Sequence, residues 1–571
     1  MTKSSLMKVL RHAYQIARMS RKTGVPTDEL LGMVRETQNS KFRTTRRRLL
    51  QGGLGFAGAM AASNFYKGGE RAMAQTTPIL IVGAGIAGLT AAYRLTQAGV
   101  PVNVIEARNR VGGRMLTTQK ALGTPFSVEL GGELIDTDHV CLRGIAEELG
   151  LNLVDLLAAD ESLETQDTFF FEGRRIGMEE LVRDFAPVAA QIDADLEAID
   201  DFEDYTKPTP AAVELDNLSI AEYLDRIPET TSIIRQIIRV GYTGEYGLDA
   251  EQQSCLNLLY LIGTETGEFE IIGTSDERFH VAGGNQRIPI ELANRLFNSI
   301  ETGIILEAIN SLPDGRYQVA LRSGNSTFDR TYERILLALP FTLLRQIQLN
   351  VDLPPLKRLS IDTTGYGTNS KLATAYQEKI WRTRYSSTGN VRSDLGFQAT
   401  WESAESRYTP GPGLMTQFIG GTQGVAIGAA TAEVHAQQLN SQLELVFPGI
   451  SSVAIPSQAI RSYWPGDPFV RGSYLCYTPG QWTRFYGIEG ERVGNIFFAG
   501  EHTSLEYQGW MEGGCDSGEV AAIEILDDLG LTATTEALRI KQSVQSENQI
   551  KRRRLPTAKN VRQNRGLPLI N

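Results

Sequence analysis

The chain has 571 residues, which is enough for two or three domains with sizeable cores. Its hydrophobic content of 42% and charged content of 22% are ordinary for a soluble globular protein. The formal net charge of −11 argues against a nucleic-acid partner for the body of the protein. No run of 18 uninterrupted apolar residues occurs, so no stable membrane insertion is predicted.

Residues 1–76 are predicted to be an export signal with a basic N-terminal extension. Thr45–Leu50 reads TRRRLL and precedes a weakly apolar, Gly/Ala-rich run, Gly52–Ala62. Ala72–Ala74 then supplies an A-x-A cleavage site. This pattern is typical of a twin-arginine signal of the bacterial type, and it predicts a periplasmic or other extracytoplasmic location. A basic linker with a chance apolar patch is the alternative. Residues 7–36 look helical, with no assigned function.

The cysteines and histidines are dispersed along the chain. The four cysteines form no C-x-x-C pair and show neither zinc spacing nor a dense disulfide framework. Buried free thiols are expected, with one or two bridges as the alternative in an exported protein. The five histidines are equally scattered, so no metal site is predicted.

A nucleotide-binding unit is predicted directly after the export signal. Ile79–Val82 is a short apolar run, as expected of a strand buried on both faces. Gly83, Gly85 and Gly88 follow in a G-x-G-x-x-G pattern that opens a helix. Such glycines allow a tight turn, backbone approach to a diphosphate, and close packing of helix on strand. The diphosphate would then lie at the positive N-terminal end of the helix.

A second strand and an acidic residue complete this unit. Val102–Ile105 is the predicted strand, and Glu106 follows it, where a carboxylate can accept hydrogen bonds from both hydroxyls of an adenosine ribose. The alternative is an ordinary βαβ unit without a nucleotide. Arg110–Arg114, RVGGR, comes next, and Glu129–Glu133 reads ELGGE. Guanidinium groups and paired glycines suit a buried diphosphate.

Together these motifs resemble the flavin amine oxidases, the family of monoamine, polyamine and L-amino acid oxidases. The resemblance covers about 77–530 and implies FAD rather than NAD. It implies an α/β fold with a Rossmann-type, glutathione-reductase-like FAD-binding domain and an α+β substrate domain. The implied FAD-binding domain comprises 77–145, 283–356 and 470–530, and the substrate domain comprises 146–282 and 357–469. Residues 531–571 are expected to form a disordered basic tail.

Further elements follow from composition and periodicity. In chain order, the predicted elements are a largely helical, acidic region over 139–259, paired strands over 304–312 and 316–322, a buried strand at Arg334–Pro340, strands at Leu372–Tyr376 and Leu414–Ile419, a helix at Ala430–Leu445, and a strand from Asn495 that ends in an F-A-G-E turn.

The resemblance also implies a set of FAD-binding residues. They are Gly83, Gly85, Ile86, Ala87, Gly88, Glu106, Ala107, Arg108, Gly113, Arg114, Gly131, Gly132, Glu133, Ile309, Gly500, Glu501, Gly509, Trp510 and Met511. Ile309 stands where the family makes a main-chain contact with the adenine. Monoamine oxidases that bind FAD covalently have cysteine at the position of Ser473, so the FAD here is expected to be non-covalent.

Three residues are implied in catalysis. Lys371, in GTNSKL, corresponds to a family lysine that is linked through a water to flavin N5. A cation there would stabilise negative charge during reaction with O₂. Tyr474 follows R-G-S, and Trp510 begins WMEGG; in the family two such aromatic residues face each other before the flavin. They exclude water and favour the neutral amine. The alternatives are a solvent-facing lysine and two core aromatic residues.

The implied reaction is hydride transfer from an amine to flavin N5, hydrolysis of the imine, and reoxidation by O₂ to give H₂O₂. The pair Gly509-Trp510 resembles L-amino acid oxidases, whereas Leu134 stands where many of them carry a carboxylate-binding arginine. Arg471 is a poor candidate for a carboxylate-binding cation, because polyamine-type enzymes share it. Glu133 and Glu245 would suit a basic side chain or a second amino group.

The sequence therefore slightly favours a basic L-amino acid as substrate. A monoamine or polyamine oxidase is one alternative. The others are an amine dehydrogenase with another electron acceptor and a flavoprotein without turnover. The expected partners are the amine substrate, O₂, the twin-arginine export machinery and a second copy of the chain in a homodimer.

Overall fold

The computed structural model describes residues 77–199, 202–264, 268–531, 533–535 and 538–539. The predicted export signal, the helix within 7–36 and residues 540–571 of the predicted tail lie outside the described residues. The strands are β1 (Ile79–Val82), β2 (Val102–Glu106), β3 (Thr117–Thr118), β4 (Val128–Glu129), β5 (Leu153–Asp155), β6 (Thr165–Phe171), β7 (Arg174–Ile176), β8 (Phe279–Val281), β9 (Ile300–Thr302), β10 (Ile304–Ser311), β11 (Tyr317–Ser323), β12 (Ser326–Tyr332), β13 (Ile335–Leu337), β14 (Gln348–Asn350), β15 (Ser370–Tyr376), β16 (Ser387–Ser393), β17 (Gln398–Glu402), β18 (Gly413–Ile419), β19 (Ala454–Tyr463) and β20 (Ile496–Phe498).

The α-helices are α1 (Ile86–Gln97), α2 (Val140–Glu148), α3 (Leu156–Asp160), α4 (Met178–Ala198), α5 (Pro210–Asp216), α6 (Ile220–Asp225), α7 (Ser232–Tyr246), α8 (Cys255–Leu259), α9 (Arg287–Arg295), α10 (Phe341–Leu344), α11 (Pro355–Thr363), α12 (Ile380–Thr383), α13 (Ala404–Tyr408), α14 (Gly421–Ala426), α15 (Ala432–Val446), α16 (Ile450–Val453), α17 (Trp482–Phe485) and α18 (Met511–Asp528). Short 3-10 helices lie at Ala121–Gly123, Phe297–Ser299, Ile488–Gly490 and Glu501–Thr503.

A five-stranded parallel sheet in the order β20-β13-β1-β2-β9 forms the nucleotide-binding part of the fold. β1 is buried along its whole length, because α1 and α18 pack on one face and β10 and β11 on the other. The predicted strands at Ile79–Val82 and Val102–Ile105 are confirmed, and so is the buried strand within Arg334–Pro340. This is a Rossmann-type α/β arrangement.

A second, four-stranded sheet has the order β12-β11-β10-β14. β10 and β11 pair antiparallel, as the sequence predicts for 304–312 and 316–322. A bulge between Leu306 and Ala308 shifts the register of this pair. The inward side chains of β10 and β11 pack on the parallel sheet and complete the core on that face.

The third sheet has seven strands in the order β19-β15-β18-β17-β16-β6-β7 and is mostly antiparallel. The predicted strands at Leu372–Tyr376 and Leu414–Ile419 are β15 and β18, and the helix predicted at Ala430–Leu445 is α15. The 139–259 region is largely helical, but β5, β6 and β7 were missed. β6 pairs with β16, more than 200 residues later in the chain, so local periodicity gives little signal for it. The domain ranges stay a prediction.

The helices at the two ends of the described chain are joined by buried polar contacts. Arg94 in α1 donates to Glu519 in α18 (Nε···Oε1, 2.9 Å) and to Glu148 in α2 (Nη1···Oε2, 2.8 Å). The Glu512 carboxylate accepts from the backbone N–H groups of Cys141 and Leu142, each at 2.7 Å, and so caps α2. All four cysteines are buried free thiols, which confirms the expectation. No helix of the described chain is long and apolar enough to cross a membrane.

Candidate active site

A cavity of about 550 Å³ lies at the carboxyl ends of the parallel strands. It is lined by most of the residues predicted from the sequence: Gly83, Gly85, Ile86, Ala87, Glu106, Ala107, Arg108, Gly113, Arg114, Gly131, Gly132, Glu133, Lys371, Tyr474, Gly500, Glu501, Gly509, Trp510 and Met511. The turn after β1, the end of β2, β15 and the N-terminus of α18 therefore converge on one site. Gly88 and Ile309 do not line it.

The glycine turn fits a diphosphate. A Cβ at Gly88 would lie 2.0 Å from the carbonyl oxygen of Gly83, so Gly88 serves close packing of helix on turn rather than ligand contact. A Cβ at Gly85 would meet no atom within 4 Å, because it would project into the cavity. The open space before the N-terminus of α1 is therefore where the diphosphate of FAD would be held.

A Gly85→Val variant is expected to lose FAD without unfolding. The added methyl groups would occupy the diphosphate space, and the ratio of flavin to protein should fall about tenfold or more. Visible absorbance and far-UV circular dichroism of the purified protein measure the two quantities. Gly177→Val is the matched control, because a Cβ at Gly177 also meets no atom within 4 Å but lies outside the cavity. Equal flavin content in both variants would contradict the assignment.

Glu106 is positioned to bind ribose hydroxyls. Its Oε2 accepts from the backbone N–H of Ala84 at 2.9 Å, and its Oε1 accepts from the N–H of Arg108 at 2.8 Å. Each carboxylate oxygen keeps a further lone pair, so both can also accept from a hydroxyl group. The two backbone contacts fix the orientation of the carboxylate before any ligand is present.

Ile309 does not line the cavity, in contrast to the prediction from the sequence. It is fully buried in β10, where it pairs with Val319 and Leu349, and the cavity is instead lined by Ile304, Ile305 and Leu306 at the start of the same strand. The strand was identified correctly from the sequence, but the position along it was not. The bulge after Leu306 explains part of the error, because it breaks the simple alternation of residues along the strand.

Lys371 is held by Glu133, a contact that the sequence did not predict. Its Nζ donates to Oε2 of Glu133 at 2.8 Å, and Oε1 of Glu133 accepts from the backbone N–H of Ala404 at 2.9 Å. Burial alone would raise the pKa of Glu133, but the charge and hydrogen bond of Lys371 lower it overall. Glu133 therefore positions Lys371 and is not a free acid for a substrate.

The aromatic residues Tyr474 and Trp510 both line the cavity. The Tyr474 hydroxyl donates to the backbone carbonyl of Glu245, and burial raises the pKa of Tyr474 well above its usual value, so the hydroxyl is neutral. Trp510 begins α18, and the ring of His139 packs against it edge-on, with centroids 5.2 Å apart. Both rings are thus fixed by their surroundings.

Two acidic residues, Glu245 and Glu277, line the cavity without an ion-pair partner among the described residues. Glu245 was proposed from the sequence, whereas Glu277 was missed, because a single acid before a short strand carries no distinctive pattern. Burial, followed by the nearby charge of Asp136, raises the pKa of Glu277 to about 8. Burial also raises the pKa of Glu245. Neither carboxyl group has a hydrogen-bond partner among the described residues.

A cluster of possible metal ligands lies behind Trp510. Asp136, Asp138 and His139 offer atoms that lie within 4.8 Å of one another. The backbone N–H of Asp136 donates to Nδ1 of His139 at 3.0 Å, so the neutral ring carries its proton on Nε2. Burial lowers the pKa of His139 to about 4 and keeps the ring neutral. A nitrogen that carries a proton cannot bind a metal, so this cluster is better suited to holding the Trp510 wall.

A parallel nucleotide-binding sheet with a glycine turn and an aromatic-lined cavity is typical of a dinucleotide-dependent oxidoreductase. A family model described as flavin containing amine oxidoreductase matches residues 86–526. The chain therefore belongs to the flavin-containing amine oxidoreductase family, carries FAD as its cofactor and acts on a CH–NH₂ group.

Known relatives fall into more than one substrate class. Amine oxidase [flavin-containing] B from Homo sapiens is 25% identical over 480 residues, which cover 80% of this chain and 88% of the relative. An L-amino-acid oxidase from Vipera ammodytes ammodytes is 23% identical over 463 residues, covering 78% and 92%. These identities do not select a substrate.

Solved structures support the fold. A putrescine oxidase bound to putrescine superposes with a TM-score of 0.68 at 21% identity, covering 79% of this chain and 99% of that chain. A cyclohexylamine oxidase from Brevibacterium oxydans IH-35A gives a TM-score of 0.68 at 21% identity, covering 80% and 100%. At this identity the likeness concerns the fold alone.

Proposed function

We propose that this protein is an oxidase that removes a hydride from the α-carbon of a primary amine, with O₂ as the final electron acceptor. The observation that carries the proposal is that the Lys371–Glu133 pair and the rings of Tyr474 and Trp510 line the same cavity as the glycine turn. FAD, when bound, supplies the hydride acceptor. Hydrolysis of the resulting imine would release ammonia, and reduction of O₂ would give H₂O₂.

The protein's own residues would position the amine and exclude water. The rings of Tyr474 and Trp510 form apolar walls that favour a neutral amine, whose lone pair must be free before hydride can leave. The fixed ammonium group of Lys371 would stabilise negative charge as O₂ accepts electrons. Ser473 donates to Asn369 (Oγ···Oδ1, 2.6 Å) and cannot form a thioether, so we infer that FAD is held non-covalently.

The cavity favours an amine over an amino acid as substrate. An α-carboxylate would require a cation, and most of the cations that line the cavity are paired. Within the described residues the pairs are Arg108 with Asp467, Arg114 with Glu501, Arg322 with Glu307, and Lys371 with Glu133. Leu134 also lines the cavity and offers no charge. We therefore place a mono- or polyamine first.

A basic L-amino acid is the second candidate, and two features favour it. The Gly509-Trp510 pair resembles that of L-amino acid oxidases. Arg471 lines the cavity, is exposed and has no acidic partner among the described residues, so it is the cation that a substrate carboxylate would need. This candidate predicts that Arg471→Met abolishes turnover.

Peroxide formation across a panel of compounds tests the proposal. We expect the purified yellow protein to form H₂O₂ with one or more of butylamine, putrescine and spermidine, and not with the L-amino acids. Turnover confined to L-lysine or L-arginine would select the second candidate. Flavin reduction without peroxide would mean that a carrier replaces O₂, and absence of any turnover would contradict both.

A further inference from the structure

We propose that Glu277 binds a second, cationic group of the substrate, so that the preferred substrate is a diamine whose distal end is an ammonium group. This inference rests on the proposed amine oxidase function. It assigns a role to the part of the same cavity that is lined by Glu245 and Glu277, here called the acidic end. The family match and the relatives do not identify this residue.

The backbone at Glu277 is held in a rarely populated conformation. Its φ is 44°, in the left-handed region that residues with a Cβ seldom adopt. The conformation is fixed from one side, because the N–H of Glu277 donates to Oδ1 of Asp136 at 2.9 Å. It is fixed from the other side because the Thr137 N–H and hydroxyl donate to the Asp276 carboxylate at 2.8 and 2.5 Å. Backbone strain that is maintained in this way is typical of functional sites.

The acids next to Glu277 accept hydrogen bonds from the loop, whereas the Glu277 carboxyl group does not. Asp136 and Asp276 accept bonds from the loop itself, whereas the Glu277 side chain lines the cavity with no hydrogen-bond partner among the described residues. Glu277 is only partly buried, so a cationic ligand in the cavity can reach its carboxyl group.

Within the described residues, neither Glu245 nor Glu277 is in an ion pair. Arg392 and Arg407 lower the pKa of Glu277 from outside the cavity, and the Nη1 of Arg392 lies 3.6 Å from Oδ1 of Asp167. The charge of Glu245 in turn raises the pKa of Glu277. An ammonium group placed between them would favour ionisation of both.

The acidic end also adjoins the aromatic residues that would hold the reacting amine. The backbone carbonyl of Glu245 accepts from the Tyr474 hydroxyl, so this residue adjoins the aromatic wall that would hold the reacting amine. Glu277 lies on the loop that is bonded to Asp136, three residues before His139, whose ring supports Trp510. A linear diamine that enters between the rings would therefore have an acidic group within the same cavity for its distal ammonium.

The test compares putrescine with butylamine, which has the same carbon chain and lacks the distal ammonium. We expect Glu277→Gln to lower the ratio of kcat/KM for putrescine to that for butylamine by about 10- to 100-fold, since a charge-assisted hydrogen bond is lost. Glu277→Asp should restore part of the ratio. Glu229→Gln, an exposed acid outside the cavity, is the charge-matched control and should leave the ratio unchanged.

Two outcomes would overturn the assignment while leaving the oxidase function intact. They are a wild-type protein that prefers butylamine and an unchanged ratio in Glu277→Gln, including equal loss of kcat/KM for both amines. By contrast, if no compound in the panel of amines and L-amino acids reduced the bound FAD in the wild-type protein, the proposed function itself would fail. The kcat/KM ratio separates binding of the distal cation from any general loss of folded enzyme, since unfolding lowers both rates equally.

Discussion

In a Lys371→Met variant, reoxidation of the reduced protein by O₂ is expected to slow on the order of 100-fold. Methionine keeps the length and the apolar part of the side chain but removes the ammonium group. That group lines the cavity and is fixed by Glu133, so its charge is already in place when O₂ accepts electrons. Stopped-flow mixing of the amine-reduced protein with aerated buffer measures the rate.

Two companion variants separate the charge effect from a stability effect. Lys371→Met alone leaves the Glu133 carboxyl buried without its partner, and Lys371→Met combined with Glu133→Gln removes both members of the pair. Reoxidation should be slow in both, while the double variant should be the more stable. Lys357→Met removes another buried lysine, outside the cavity, and should leave reoxidation unchanged. If flavin content and reoxidation fell in equal proportion, Lys371 would be structural.

Replacing Arg94 by alanine is expected to destabilise the protein by about 3–5 kcal/mol. Arg94 joins α1 to α2 and α18, and its removal leaves the Glu519 carboxylate almost fully buried without a cation. Burial alone would lower the pKa of Arg94, but the hydrogen bonds and charges of Glu148 and Glu519 raise it overall, so the pair is ionised. The midpoint of urea unfolding of the FAD-loaded protein measures the effect.

An exposed arginine pair is the control for this measurement. Arg295 lies 3.6 Å from Glu291 on the surface of α9, where each side chain is more than a third exposed. Arg295→Ala should cost about 0–1 kcal/mol, because water screens the pair. Similar shifts in both variants would mean that burial of the Arg94 cluster adds nothing to stability.

The sequence predicted those parts of the fold that depend on local pattern. The β1–α1–β2 unit was predicted correctly, since an apolar run, a glycine motif and a second apolar run each have a local cause. β6 was missed, because its partner β16 lies far along the chain and its first half is polar. Ile309 was wrongly placed at the cavity, because the composition of a strand does not predict its register beyond a bulge.

In the candidate site, too, local motifs were predicted and contacts between distant residues were not. Residues that belong to contiguous motifs, such as Gly85, Tyr474 and Trp510, line the cavity, and the motif fixes their spacing. Contacts between separate motifs were not predicted. Glu133 and Lys371 are 238 residues apart, and their contact exists only because two sheets meet at the cavity. The position of Glu277 at the cavity depends on the conformation of its loop, which a single glutamate in the sequence does not predict.

The most direct test of amine oxidase function is anaerobic titration of the FAD-loaded protein with a primary amine, followed by exposure to air. The visible flavin absorbance should bleach as the amine is added. On aeration the absorbance should return, with one H₂O₂ released for each flavin reoxidised. A folded, FAD-loaded protein that no amine in the panel bleaches would contradict the account.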